Sequence, residues 1–296
     1  MMAELPEWNG AVEQVQRKST LVRSIVLALD GTERTRPAIP VAETLTRLYG
    51  ATIHVAYVGE EQLNAQETAR RLGFEPEQSH VTILPQSRGN AVELIMTLAR
   101  ELPDALTVIS TDLGQRAEKD RFGSLTEAIF SARPQRAVFV SAYRGKKPWN
   151  LRHILLAHDG TPASHVATCP AADLAQRAGA DIIALHVAAR GERRPEEPGS
   201  ISAPLYVDQP QHEWPTWVHE FMNRILATGT PPSSVHFKLT LTGGKPGSEV
   251  AQVARDRGVD LVVMAWHGHW DHESSATRVV IRGSGCPVLL VYSAAE

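Results

Sequence analysis

The chain has 296 residues, 43% hydrophobic and 21% charged, with a net charge of -3 and a pI near 6.5. The length suggests two domains of about 150 residues, and the charge balance excludes a surface built mainly for nucleic-acid phosphates, which needs a cationic excess. No run approaches the ~20 apolar residues of a membrane span, the opening residues carry acids and no apolar core and so do not read as a secretory signal, and Cys169 and Cys286 make no disulfide framework. A cytoplasmic protein with neither a nucleic-acid nor a membrane partner is expected.

Residues 1–20 read as an N-terminal extension. Strands are predicted at 23–29, 51–58, 80–84, 105–110 and 137–141, with helical apolar spacing over 37–48 and 91–102. Residues 144–150 form a short linker that holds Arg144, Lys146 and Lys147. A second series follows, with strands at 152–158, 181–187, 235–241, 260–265 and 287–292 and helices at 167–177 and 248–256. The polar, turn-rich run from Arg190 opens an insertion at about 188–230. Within it Trp214, Trp217, Phe221 and Ile225 outline an amphipathic helix over 215–227, whose expected role is to cover its own sheet.

The two series are copies. Ile25–Thr32 recurs as Ile154–Thr161, and Gly50-Ala51-Thr52-Ile53 recurs at the same offset as Gly179-Ala180-Asp181-Ile182. Beyond the insertion, Leu106–Ile109 matches Leu261–Met264 and Ala137–Val140 matches Val288–Val291. Near-continuous apolar strands alternating with helices imply parallel sheets covered on both faces. The fold class expected is therefore α/β, with two tandem doubly wound five-stranded sheets, in domains 21–143 and 151–296. Ligands on such sheets sit beyond the carboxyl ends of the strands, where the strand order reverses.

Each first strand ends in a small acidic turn, Asp30-Gly31-Thr32 and Asp159-Gly160-Thr161. The fourth strands lead into Ile109-Ser-Thr-Asp-Leu113 and Met264-Ala-Trp-His-Gly268, then Gly123-Ser124 and Ser274-Ser275, and the last strand of the second copy follows Cys286-Pro287. This order resembles the universal stress protein family over nearly the whole chain, excluding the first residues and the insertion. The resemblance implies an adenine nucleotide α hydrolase-like fold, a stress-response role exercised by binding, and ATP with magnesium as the ligand of those members that keep a Gly-x-x-Gly, nine-residue, Gly-Ser/Thr loop. Its base-side contacts correspond to Asp30 or Asp159 and to Val58 or Val187. It also implies pairing of last strands, here within one chain about a pseudo-twofold axis, with higher homo-oligomers as a further option.

Neither copy keeps the phosphate loop. Ser110 and Leu113 replace the early glycines of the first copy, while Gly123 and Ser124 retain their spacing and Arg116, Lys119 and Arg121 offer charge. In the second copy Ala265 replaces the first glycine, Gly268 remains, Ser274 and Ser275 close the loop, and the loop is shorter by four residues. Ser124 with Glu127 is also a capping box in its own right, and Asp30 and Asp159 also serve as turn residues. Two readings stay open, adenine-nucleotide binding in one copy (the first, by its spacing) and a scaffold without nucleotide for an unknown protein partner. The second half also holds ten of the twelve histidines. His267, His269, Asp271, His272 and Glu273 supply zinc-type ligands in no standard spacing. A metal-dependent enzyme at that loop is the third reading. Gly244–Ser248 lacks the Lys-Ser/Thr step of a P-loop and reads as the turn opening a helix. No G-x-S-x-G or H-E-x-x-H occurs, so no dedicated catalyst is expected.

Overall fold

The computed structural model describes residues 22–57, 63–74, 80–84, 91–102, 104–111, 126, 130, 136–141, 149–188, 219–223, 225, 234–267 and 276–293. In the first half these form β1 (Ser24–Leu29), α1 (Ala38–Tyr49), β2 (Thr52–Tyr57), α2 (Ala65–Leu72), β3 (Val81–Ile83), α3 (Ala91–Glu101), β4 (Ala105–Thr111) and β5 (Arg136–Ser141). In the second they form β6 (His153–Ala157), a 3-10 turn (Pro162–Ala167), α4 (Thr168–Ala178), β7 (Asp181–Ala188), β8 (Phe237–Gly243), α5 (Pro246–Asp256), β9 (Leu261–Trp266), α6 (Ala276–Gly283) and β10 (Val288–Tyr292). Both α1 and α4 stop at a left-handed glycine, Gly50 (φ 64°) and Gly179 (φ 63°), the conformation that ends a helix without a Cβ penalty. Helix α5 begins two residues earlier than its apolar spacing suggests. Pro246 takes its first turn, where the missing N–H is not needed.

All ten strands lie in one sheet, ordered β3-β2-β1-β4-β5-β10-β9-β6-β7-β8. Each half has the order third-second-first-fourth-fifth with parallel pairing throughout, and the halves fuse where β5 meets β10 antiparallel. Register repeats as well as order. Ile25 faces Ile53 and Leu106, and Ile154 faces Ile182 and Leu261. At the seam Val138 pairs with Leu289, its own equivalent, and Phe139–Val288 is the mirror of Ala137–Leu290. A pseudo-twofold axis therefore passes through the Val138–Leu289 pair. Intramolecular pairing also removes two strand edges that would otherwise invite association.

Side chains alternate between the faces of this sheet. Ile25, Leu27 and Leu29 join one buried cluster with α1 and α4, and Val26 and Ala28 join the other with α3 and α5. Phe221 and Ile225, in helical residues 219–223 and 225 of the insertion, are fully buried against Ala184 and Leu239. That is how the sequence placed them, covering their own sheet, where α2 covers β2 and β3 in the first half. Trp214 and Trp217 lie outside the described residues.

Candidate functional site

Strand order reverses between β1 and β4 in the first half and between β6 and β9 in the second, which is where sheets of this kind place a ligand crevice. In the first, Asp30 follows the last residue of β1. Its Oδ1 accepts from the Thr32 N–H at 2.8 Å, the Thr32 hydroxyl at 2.8 Å and the Thr35 hydroxyl at 2.7 Å. Partial burial pushes the carboxyl up, but these hydrogen bonds outweigh it and hold the pKa below the usual value. Among the described residues no donor is bonded to Oδ2, which keeps its capacity to accept.

Ser110, near the end of β4, donates to the Arg34 carbonyl at 2.7 Å, which ties the tip of β4 to the turn after β1. Gly31 has φ 80°, and a Cβ there would come within 3.3 Å of Arg71 Nε and 3.4 Å of the Tyr57 ring. Thus Tyr57, at the end of β2, and Arg71, on α2, stand beside the acidic turn. Sequence reasoning missed both. The repeat offset was the available signal, because it sets Tyr57 against His186.

The second tip is built differently. Asp159 repeats the turn, with Oδ1 accepting from the Thr161 N–H at 2.9 Å and its hydroxyl at 2.7 Å. Burial raises its carboxyl pKa, and hydrogen bonds from Thr161 and Ser164 reverse the shift and leave it lowered. Where the first half has Leu29 and Tyr57, the second has His158 and His186, both buried. The His158 ring lies 5.1 Å from that of His165 and 5.7 Å from Phe221, and the His186 ring lies 5.0 Å from Phe221. Nδ1 of His158 accepts from the Gly160 N–H at 3.0 Å, so the imidazole is held in its neutral form. Burial, then the neighbouring His165, depress its pKa to about 4. Burial lowers His186 too.

At the tip of β9, Ala265 is half-buried and His267 exposed, while the intervening Trp266 is buried 5.2 Å from Phe130 of the first half and 5.6 Å from Tyr292. Val187 is half-buried near the end of β7. Of the sequence-predicted residues, the structure thus brings Asp30 and Ser110 to one tip and Asp159, Val187, Ala265 and His267 to the other. Val58, Leu113, Gly123, Ser124, Gly268, Ser274 and Ser275 lie outside the described residues. So do His269, Asp271 and His272, and among the described residues no three ligand-type side chains are grouped to hold a metal ion.

The fold defines a doubly wound α/β protein whose strand order reverses once in each half. The Universal stress protein family model matches residues 150–292, so the second half is a domain of that family. No curated protein sequence matches the chain. Among solved structures, a universal stress protein from Archaeoglobus fulgidus DSM 4304 is 13% identical with a TM-score of 0.65, covering 93% of this chain and 97% of that one. A putative universal stress protein from Pseudomonas aeruginosa UCBPP-PA14 is 13% identical with a TM-score of 0.63, covering 93% and 94%. The cytoplasmic domain of a prokaryotic cation chloride cotransporter is 11% identical with a TM-score of 0.53, covering 93% and 97%. At such identities the likeness is one of fold, and fold alone assigns no ligand. Among the described residues no helix is long and apolar enough to cross a membrane.

Proposed function

We propose that the chain is a tandem universal stress protein, with domains at 21–143 and 151–296, that acts in the cytoplasm by binding and takes an adenine nucleotide in its first crevice. The observation that carries this reading is the difference between two otherwise equivalent tips. At the first, Asp30 keeps an acceptor oxygen and Ser110 fixes the turn against β4. At the second, Trp266 is packed into the β9 tip, and His158, His186 and Phe221 fill the apolar face beside Asp159.

A base with an exocyclic amino group suits Asp30, since one carboxylate oxygen is already committed to the turn and the other keeps its lone pairs for a ligand donor. The phosphates would rest on Gly123 and Ser124 with magnesium, by backbone N–H groups and the positive end of the helix dipole. The resemblance alone supports that part. Occupancy would reshape the loop after β4 and so alter the contacts offered to a partner.

Isothermal titration with ATP and magnesium tests the reading. One site is expected, with Asp30→Ala or Gly123→Val abolishing the heat and Asp159→Ala leaving it. Heat lost in Asp159→Ala and kept in Asp30→Ala would move the site to the second crevice. No heat at all would favour the second reading, a pseudo-dimeric scaffold without nucleotide, for which the replacement of loop glycines by Ser110, Leu113 and Ala265 speaks.

A further inference from the structure

At the opposite edge of the sheet, where strands begin, the halves enclose a second concavity. It is a cleft of about 290 Å³, open to solvent and lined by Thr44, Arg47 and Leu48 of α1, the segment 149–152, and Ala178 at the end of α4. Both halves and the entry to β6 contribute, so the cleft exists only in the fused molecule. Its volume is near the lower end for small-molecule sites.

The charges around it are unbalanced. Asp260 Oδ2 accepts from the backbone N–H groups of Arg152 at 2.8 Å and His153 at 2.9 Å. Asp173 accepts Arg177 Nε at 3.1 Å on both oxygens, and Arg177 donates on to the Leu48 carbonyl at 3.2 Å. These two acids are thus committed to structure, and among the described residues no carboxylate lines the cleft. Among the described residues Arg47 donates only to the Thr44 hydroxyl, at 2.9 Å, and the Arg152 guanidinium has no ion-pair partner. Both are exposed. The wall beneath them is fixed, because Thr44 donates to the Trp149 carbonyl at 2.9 Å and Trp149 Nε1 to the Asp260 carbonyl at 3.2 Å. Two guanidinium groups, each a planar fork of donors, on a concave wall that Asn150 also lines match the several acceptor oxygens of a tetrahedral phosphate group.

We infer that this cleft between the halves, with Arg47 and Arg152 as its anion-binding side chains, is a binding site for a small phosphate-bearing molecule, distinct from the strand-tip crevices. Bridging α1 and the 149–152 segment, such a ligand clamps the two halves together.

Calorimetric titration of the full chain with inorganic pyrophosphate at constant ionic strength tests it. A single saturable site is expected, weakened at least tenfold by Arg47→Gln and by Arg152→Gln and unchanged by Asp30→Ala, with a thermal midpoint that rises on adding pyrophosphate in the parent but not in the double glutamine variant. The unliganded midpoint of that variant should stay at the parental value, since both side chains are exposed. Saturable binding that survives both glutamine substitutions, binding lost in Asp30→Ala, or no saturable binding would each overturn the inference. Its failure leaves the nucleotide reading standing, because that reading is tested at the other edge of the sheet.

Discussion

The tips of β1 and β6 start from nearly the same eight residues and end as different environments. At the first, Leu29 completes the apolar face and the acidic turn stands beside Tyr57 and Arg71. At the second, His158 replaces Leu29, His186 replaces Tyr57, and Phe221 arrives from the insertion to seal them. One turn chemistry, an aspartate gathering its own Thr donors, serves both. The lesson is that the backbone of a crevice survives duplication while its side-chain lining drifts, because the strand ladder fixes the former and packing partners distant in sequence decide the latter.

The largest effect expected from breaking this contrast is at Phe221. It is fully buried between two histidines and the β7–β8 face, so Phe221→Ala should cost about 3–5 kcal/mol in chemical denaturation. Among the described residues of the first half no single residue plays that part against imidazoles, so hydrogen exchange should show the loss centred on β7 and β8. Protection lost equally over β1 and β2 would show that the halves unfold as one unit.

Acid should separate the tips next. An unfolded histidine titrates near 6.5, whereas buried His158 stays neutral down to about 4. Between those values the unfolded chain binds a proton that the folded chain refuses. The stability contributed is therefore complete above pH 6.5 and is lost as pH falls toward 4, by about 3 kcal/mol for His158. His186 works in the same direction. His158→Leu, which installs the first half's residue, should flatten that part of the denaturation profile; an unchanged slope would show that His158 is not the group responsible.

A smaller effect is expected at the acidic turns. Asp30→Ala removes the acceptor of three hydrogen bonds and should cost about 1–2 kcal/mol, and Asp159→Ala, with two such bonds on Oδ1, somewhat less. Both carboxyls are depressed, so their contribution is present at neutral pH and fades as pH falls through the lowered values. Thermal unfolding at pH 7 and pH 3 checks this, and the penalty of either substitution should shrink at the lower pH. Smallest of all, Gly31→Ala forces a side chain into a left-handed conformation at a cost of about 1 kcal/mol.

Much of the architecture was legible because it is local. The strands are short apolar runs, the helices have their own periodicity, and Gly50 and Gly179 mark helix ends in the letters themselves. Pairing of β5 with β10 was an expectation of the family resemblance, and the register through Val138 and Leu289 agrees with it. Tyr57, Arg71 and the histidine packing were not legible. His158 and His186 are separated by 28 residues and reach Phe221 only across the insertion, so no window of sequence contains their contact.

What the sequence determined alone is the repeat, the twin acidic turns and the strand-helix alternation, since each depends on neighbours a few residues away. Only the tertiary structure decided which tip is filled, what the insertion covers and which arginines line one cleft, because burial and shared surfaces are properties of segments brought together from opposite halves. The cleft beneath the seam belongs wholly to that second class. Arg47 and Arg152 come together there because two domains share one sheet.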